Sequence, residues 1–142
     1  MRPDPIADLV HRYADAVVCG DATQWANTWA DDGVWDLGQH GPTHGRVAIL
    51  EVWRAAMDAF ESVVQTVLNG TYEVDEDAGT GSGRWYVQEH WRRVDESVGF
   101  MLARYDDTYV RIDGEWRFAS RVLVILYVGA PDLSGTFLKP RN

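Results

Sequence analysis

Only one cysteine, Cys19, occurs in the chain. That excludes an intrachain disulfide and argues against a cysteine-built metal site. No apolar run approaches the roughly 20 residues that a membrane-spanning helix needs. The opening segment, MRPDPIADLV, lacks the long apolar centre and small-residue cleavage site of a secretory signal, so a cytoplasmic location is expected. Basic charge is also scarce: 13 Lys and Arg stand against 22 Asp and Glu, a net charge of −9. The only local basic cluster is Arg92-Arg93. Without a concentrated basic face, neither nucleic acid nor a membrane surface is an expected partner. Linkers, low-complexity tracts and internal repeats are missing too. The expectation is one domain over residues 1–142, with 129–142 as a C-terminal tail.

What the chain does have is apolar mass. Its 142 residues are 46% hydrophobic, enough for a real core and too much for a disordered chain. Seven tryptophans are present. Large rigid apolar rings suit an aromatic-lined cavity, and they suit ordinary core packing equally well.

Hydrophobic periodicity divides the chain in two. Asp4-Pro5 reads as an N-cap and first-turn proline, after which Ile6, Leu9, Val10, Tyr13 and Val17 form one helical stripe that Gly20 ends. Asp21 caps a second expected helix, ATQWANTWA, with Trp25 and Trp29 one turn apart; DDG ends it, and VWDL reads as a short strand. The glycine- and histidine-rich segment GQHGPTHGR reads as a loop, a candidate lid, followed by a third helix over about 47–61 with Ile49, Leu50, Trp53, Met57 and Phe60 on its apolar face. From residue 62 the period is two. Four strands follow, 62–74, 82–94, 98–112 and 115–128, with Asp113-Gly114 a strong hairpin signal. Helices first and a meander afterwards predict an α+β fold, with the helices on one face of a curved antiparallel sheet.

The segment WYVQEHW, residues 85–91, sets Glu89 beside His90. Neighbouring strand residues point to opposite faces, so the two cannot share a wall. Trp85, Val87, Glu89 and Trp91 make the more apolar parity, which places Glu89 inward and His90 outward. Desolvation would raise the pKa of a carboxylate on an apolar wall toward an acid–base range; a neighbouring arginine or a place at the sheet rim would make it structural instead. In the preceding strand neither parity is clearly wet, so Gln65 is not oriented by its pattern. Buried, it would need partners for both ends of its amide, which a bound ligand could supply.

The stretches RYADAVVCGDATQWANTWADDGVWDL, HGRVAI and ARYDDTYVRIDGEWRFASR, in this order and spacing, resemble the SnoaL-like branch of the nuclear transport factor two superfamily over roughly Ile6 to Val128. The resemblance implies a cone-shaped α+β barrel in which three N-terminal helices close a strongly curved antiparallel sheet around a deep apolar pocket. It also implies homodimers through the outer sheet face. Relatives include ketosteroid isomerases, scytalone dehydratase, limonene epoxide hydrolase, a lindane dehydrochlorinase and polyketide cyclases, alongside proteins that only bind. On this resemblance Val18 stands where dehydratase and dehydrochlorinase relatives carry an Asp, Gln65 where they carry a His base, and Leu37 where the dehydratase carries a Tyr. An Asp–His dyad is therefore absent.

The remaining candidates are Glu89 as general acid or base, Gln65 as orienting donor and Tyr105 as phenolic donor, although the pattern of its strand does not orient Tyr105. The expected lining is Tyr13, Val18, Trp29, Trp35, Leu37, Trp53, Met57, Trp85 and Trp91. Asp107, Arg111 and Arg121 read as ion pairing between strands. His40 and His44 lack a third ligand, so no metal and no cofactor are expected. Two functions fit these residues. One is a cofactor-independent enzyme performing isomerase, dehydratase or cyclase proton-transfer chemistry on a small hydrophobic oxygenated molecule. The other is a non-catalytic binding or dimeric accessory protein.

Overall fold

The computed structural model describes residues 4–39 and 41–140. Three helices and six strands follow in the order α1 (Pro5–Cys19), α2 (Ala22–Ala26), β1 (Trp29–Asp36), β2 (Pro42–His44), α3 (Arg46–Asp58), β3 (Phe60–Asp75), β4 (Thr80–Arg93), β5 (Val98–Ile112) and β6 (Glu115–Gly129). The strands form one open, curved sheet ordered β2-β1-β6-β5-β4-β3. The α+β architecture is the expected one, with two corrections: the barrel is not closed, and the sheet is mixed. The pairs β3–β4, β4–β5, β5–β6 and β1–β2 are antiparallel, whereas β1 lies parallel to β6. That parallel pair joins residues distant in sequence, and no local turn announces it.

Local chemistry explains the helix ends. Asp4 accepts hydrogen bonds from the backbone of Ile6 and Ala7, both at 3.1 Å, and Gly20 closes α1 at φ 67°, where glycine carries no steric penalty. Asp21 caps α2 through the Gln24 amide at 3.0 Å. The second helix is much shorter than its periodicity suggests. Trp25 sits on it, but Trp29 already begins β1, so two tryptophans four residues apart belong to different elements. Residues 30–33 then slip out of register before β1 resumes against β6 at Val34. Segment 42–44, expected as loop, adds a short edge strand, and Phe60, expected on α3, starts β3.

The core lies between α1, α3 and the concave sheet face. Trp25, Trp29, Trp35 and Trp53 form its centre, with Trp25 stacked on Trp53 at 4.7 Å and 13°. On β5 the residues from Met101 to Tyr109 at odd positions face this core, and Arg121 enters it from β6 at 1% exposure. Arg121 reaches Asp107 with Nε–Oδ1 at 2.7 Å and Nη2–Oδ2 at 3.1 Å. Tyr109 donates to the same carboxylate at 3.1 Å, and Trp85 Nε1 donates to Tyr109 at 3.0 Å. The expected pairing therefore exists at Asp107 and Arg121. Arg111 differs: it reaches out to Glu76 in the β3–β4 turn and lies over Trp116.

Gly83 makes room for this network. A Cβ there would lie 2.5 Å from the Tyr109 hydroxyl, 2.8 Å from the Tyr72 Cβ and 3.0 Å from the Thr71 carbonyl oxygen. Two of those three neighbours are main chain or tied closely to it, so they cannot swing aside. Gly83→Ala is expected to cost about 1–3 kcal/mol, measured as a lower urea midpoint at unchanged slope.

The C-terminal tail turns back rather than crossing the concave side. Phe137 bridges to Tyr127 and packs on its ring at 4.8 Å, leaving Tyr127 fully buried. No helix of the described residues is long and apolar enough to cross a membrane.

Candidate active site

Between α1, β1, α3 and the sheet lies a cavity of about 190 Å³. Its helical side is Tyr13 and Val17 of α1 with Trp53, Ala56 and Met57 of α3. Trp35 and the adjoining Leu37 come from the β1 side, and Phe60, Gln65, Glu89, Met101, Tyr105 and Leu123 from the sheet. Larger and more open grooves also exist: one of about 460 Å³ over Thr71, Arg84 and Asp106 has mixed walls, one of about 450 Å³ adjoins the cavity at Val17, Met57 and Phe60, and one of about 390 Å³ over Val64, Trp91 and Val98 is apolar. Only the 190 Å³ cavity combines an aromatic enclosure with convergent polar groups among the described residues.

Strand register brings the polar groups together. Gln65 and Glu89 are direct cross-strand partners on β3 and β4, and Glu89 in turn faces Met101 on β5. Val63 and Gln65 are buried while Val64 and Thr66 are exposed, which settles the orientation that the sequence pattern left open. Gln65 Nε2 donates to Glu89 Oε2 at 2.9 Å. Burial pushes the Glu89 carboxyl above its usual range, and the Gln65 hydrogen bond and the charge of Arg93 pull it partly back. His90, its neighbour in sequence, is exposed on the opposite face.

Tyr105 also points into the cavity, with its hydroxyl 3.2 Å from that of Tyr13. Burial raises both phenols, so each stays protonated and able to donate. Behind them the Arg121 guanidinium lies 3.9 Å from the Tyr105 ring centre, 4.2 Å from Phe118 and 4.5 Å from Tyr13. A cation on the ring face draws electron density from the phenol and makes its O–H a better donor.

The structure thus collects Tyr13, Trp35, Leu37, Trp53, Met57, Gln65, Glu89 and Tyr105 around one space. Four expected lining residues are elsewhere. Val18 is 44% exposed, because it sits one helical step past the buried stripe, and Val17 takes the wall position. Trp29 is packed behind the wall against Tyr13, Trp25 and Phe118. Trp85 belongs to the Tyr109 network at the far end of the sheet. Trp91 lies past Glu89, packed on Phe60 and across Gly99. Val17, Ala56, Phe60, Met101 and Leu123 line the cavity without having been singled out as lining. The helical stripes pointed to Val17 and Phe60, and pairing from the turn after Arg93 would have placed Met101 opposite Glu89.

His44 is exposed on β2, and His40 lies outside the described residues. Among the described residues no three His, Cys, Asp or Glu side chains gather as metal ligands would.

Comparison with known proteins agrees with the fold. Residues 4–122 match the family described as the SnoaL-like domain. No protein of curated function matches the chain. Among solved structures, a hexachlorocyclohexane dehydrochlorinase, LinA-type3 from Novosphingobium barchaimii LL02, superposes with a TM-score of 0.80 at 22% identity, covering 96% of this chain and 93% of that one. A LinA type 2 dehydrochlorinase gives 0.81 at 22% identity over 96% and 91% of the two chains. A candidate scytalone dehydratase from Novosphingobium aromaticivorans gives 0.82 at 19% identity over 96% and 90%. At these identities the likeness is one of fold.

Proposed function

The chain belongs to the SnoaL-like domain family, and on that premise we propose that it is a cofactor-independent enzyme that moves a proton on a small hydrophobic oxygenated molecule. The observation carrying this reading is Glu89, a carboxylate held at 2.9 Å by Gln65 on the wall of an aromatic cavity. A carboxylate whose pKa is raised by desolvation is a stronger base than an exposed one and, once protonated, can give the proton back.

The steps use groups already present. With a carbonyl oxygen held by the Tyr105 hydroxyl, the Glu89 carboxylate takes a proton from the carbon beside that carbonyl. The C–H electron pair moves into the new carbon–carbon double bond, and the carbonyl oxygen gains negative charge under the hydrogen bond from Tyr105. Return of the proton from Glu89 to a more distant carbon completes an isomerisation. Its delivery to a departing hydroxyl, which leaves as water, completes a dehydration. Gln65 aims the carboxylate. The names of the structural neighbours, a dehydrochlorinase and a candidate dehydratase, describe eliminations, and removal of a proton from carbon is common to that chemistry. The homodimer implied by the family is part of this proposal. Val64, Leu68, Val98 and Val122 stand exposed on the outer sheet face, in keeping with a partner there.

Cyclohexanone and cyclohex-3-enone in D2O test the reading directly. The protein is expected to speed deuterium entry beside the carbonyl and to conjugate the enone, seen by NMR and by ultraviolet absorbance. Rates no faster than in protein-free buffer would refute it.

A further inference from the structure

The two ends of the Gln65 amide have different fates. Nε2 is used on Glu89, but Oε1, on a residue only 7% exposed, has no hydrogen-bond partner among the described residues. Trp35, 5% exposed and also on the cavity wall, has its Nε1–H near the Tyr105 hydroxyl but makes no hydrogen bond of full geometry. An unpaired buried amide oxygen or indole N–H is costly, and the cost is removed when a guest supplies the missing partner. The two orphans are of opposite kind. Gln65 Oε1 accepts only, so it asks for a hydroxyl or N–H; Trp35 Nε1 donates only, so it asks for an oxygen acceptor.

While Glu89 is ionised it can only accept, which obliges Gln65 to turn its NH2 to the carboxylate and leaves Oε1 for the guest. The other polar atoms on the wall are the Tyr13 and Tyr105 hydroxyls, 3.2 Å from each other, and Val17, Met57, Met101 and Leu123 are apolar. Size adds a limit. A cavity of about 190 Å³ is little larger than the roughly 150 Å³ apolar cavity that accepts benzene, so the guest is about one ring.

We propose that the ligand of this site is a single-ring compound carrying both a carbonyl-type acceptor and a free hydroxyl, with Gln65 the specificity-determining residue that accepts from that hydroxyl. The proposal rests on the assignment of this cavity as the active site, but its test reads binding and not turnover.

Dissociation constants from tryptophan fluorescence and calorimetry are compared for 3- and 4-hydroxycyclohexanone, their methyl ethers and cyclohexanone. In the unmodified protein at least one hydroxy-ketone is expected to bind about tenfold or more tightly than cyclohexanone, and its methyl ether to lose that gain. In Gln65→Leu the preference for the hydroxyl is expected to vanish, the dissociation constants of hydroxy-ketone and cyclohexanone coming within about twofold of each other. Gln65→Met provides the same comparison if the leucine variant folds poorly. Trp35→Phe is expected to weaken ketone and hydroxy-ketone by the same factor. Equal affinity for hydroxy-ketone and cyclohexanone, no binding of either, or a preference that survives loss of Gln65 overturns the proposal. A hydroxyl preference that depends on Gln65 but comes without deuterium exchange upholds it and removes the catalytic reading alone.

Discussion

Glu89→Gln is expected to slow proton transfer by about 10²–10⁴-fold while raising the melting temperature at neutral pH. The two effects have one cause. Burial raises the folded-state pKa of Glu89 above that of an exposed glutamate, so the fold favours the protonated form. By linkage, its contribution to stability is fully present below the unfolded pKa and is lost as pH rises through the folded pKa. At pH 7 the carboxylate is therefore a liability to the fold, and a neutral amide of the same shape relieves it. The stabilisation from Glu89→Gln should shrink as pH falls and disappear below the ordinary glutamate range, where both proteins carry a neutral group. Turnover depends on the ionised form, so its rising limb should have a midpoint above that of a free carboxylate. Melting curves at pH 4 and pH 8, with a pH–rate profile on cyclohex-3-enone, measure all of this. Turnover within about threefold of the parent would remove Glu89 as the proton carrier.

Asp107→Ala is expected to destabilise the protein by about 3–5 kcal/mol, a large part of the 5–15 kcal/mol that typically holds a domain together. Its partner makes it severe. Arg121 is 1% exposed and would remain charged with no anion beside it, held only against the faces of Tyr13, Tyr105 and Phe118. Those rings attract a cation but do not replace two hydrogen bonds of 2.7 and 3.1 Å. Tyr109 loses its acceptor in the same change. A pair replaced whole behaves differently, so Asp107→Leu combined with Arg121→Met should recover much of the loss, since no uncompensated charge is left. Urea unfolding of the three variants decides the matter. A cost for Asp107→Ala below about 1 kcal/mol would mean that water reaches Arg121.

The sequence made the meander legible because each of its strands is joined to the next by a short turn. The pattern of 98–112 predicts the ends that this strand has, and one apolar parity predicts the inward face of Glu89. Gln65 and Tyr105 were harder, since both parities of their strands mix apolar and polar residues; only pairing with a neighbour of known orientation settles them. The hairpin at Asp113-Gly114 shows the limit of such extrapolation. Continued without interruption it would set Tyr105 opposite Val122, but a shift near Thr108 moves the register by one, and Tyr105 faces Leu123. The outward Val122 and the inward Leu123 exchange roles on that single step. In the N-terminal part, Trp25 and Trp29 match a helical stripe perfectly well. Pairing of Trp29 with Phe118 overrides it, and that contact spans most of the chain. The orphan atoms of Gln65 and Trp35 are invisible in sequence altogether, because an unmet hydrogen bond is defined by its surroundings.

The parallel pairing of β1 with β6 has a consequence for how the protein is made. Strands β3 to β6 zip up from neighbouring hairpins, each contact close in sequence, whereas β1 can dock only after the last strand has formed. Contacts of such long range are the slow ones in folding. The cavity is divided along this same seam. Tyr13, Trp35, Trp53 and Met57 come with the early-synthesised part of the chain before β3, and Gln65, Glu89, Met101, Tyr105 and Leu123 with the meander. Neither part alone holds a complete wall. During folding the site is therefore among the last features to come into being, and it closes when the final strand meets the first.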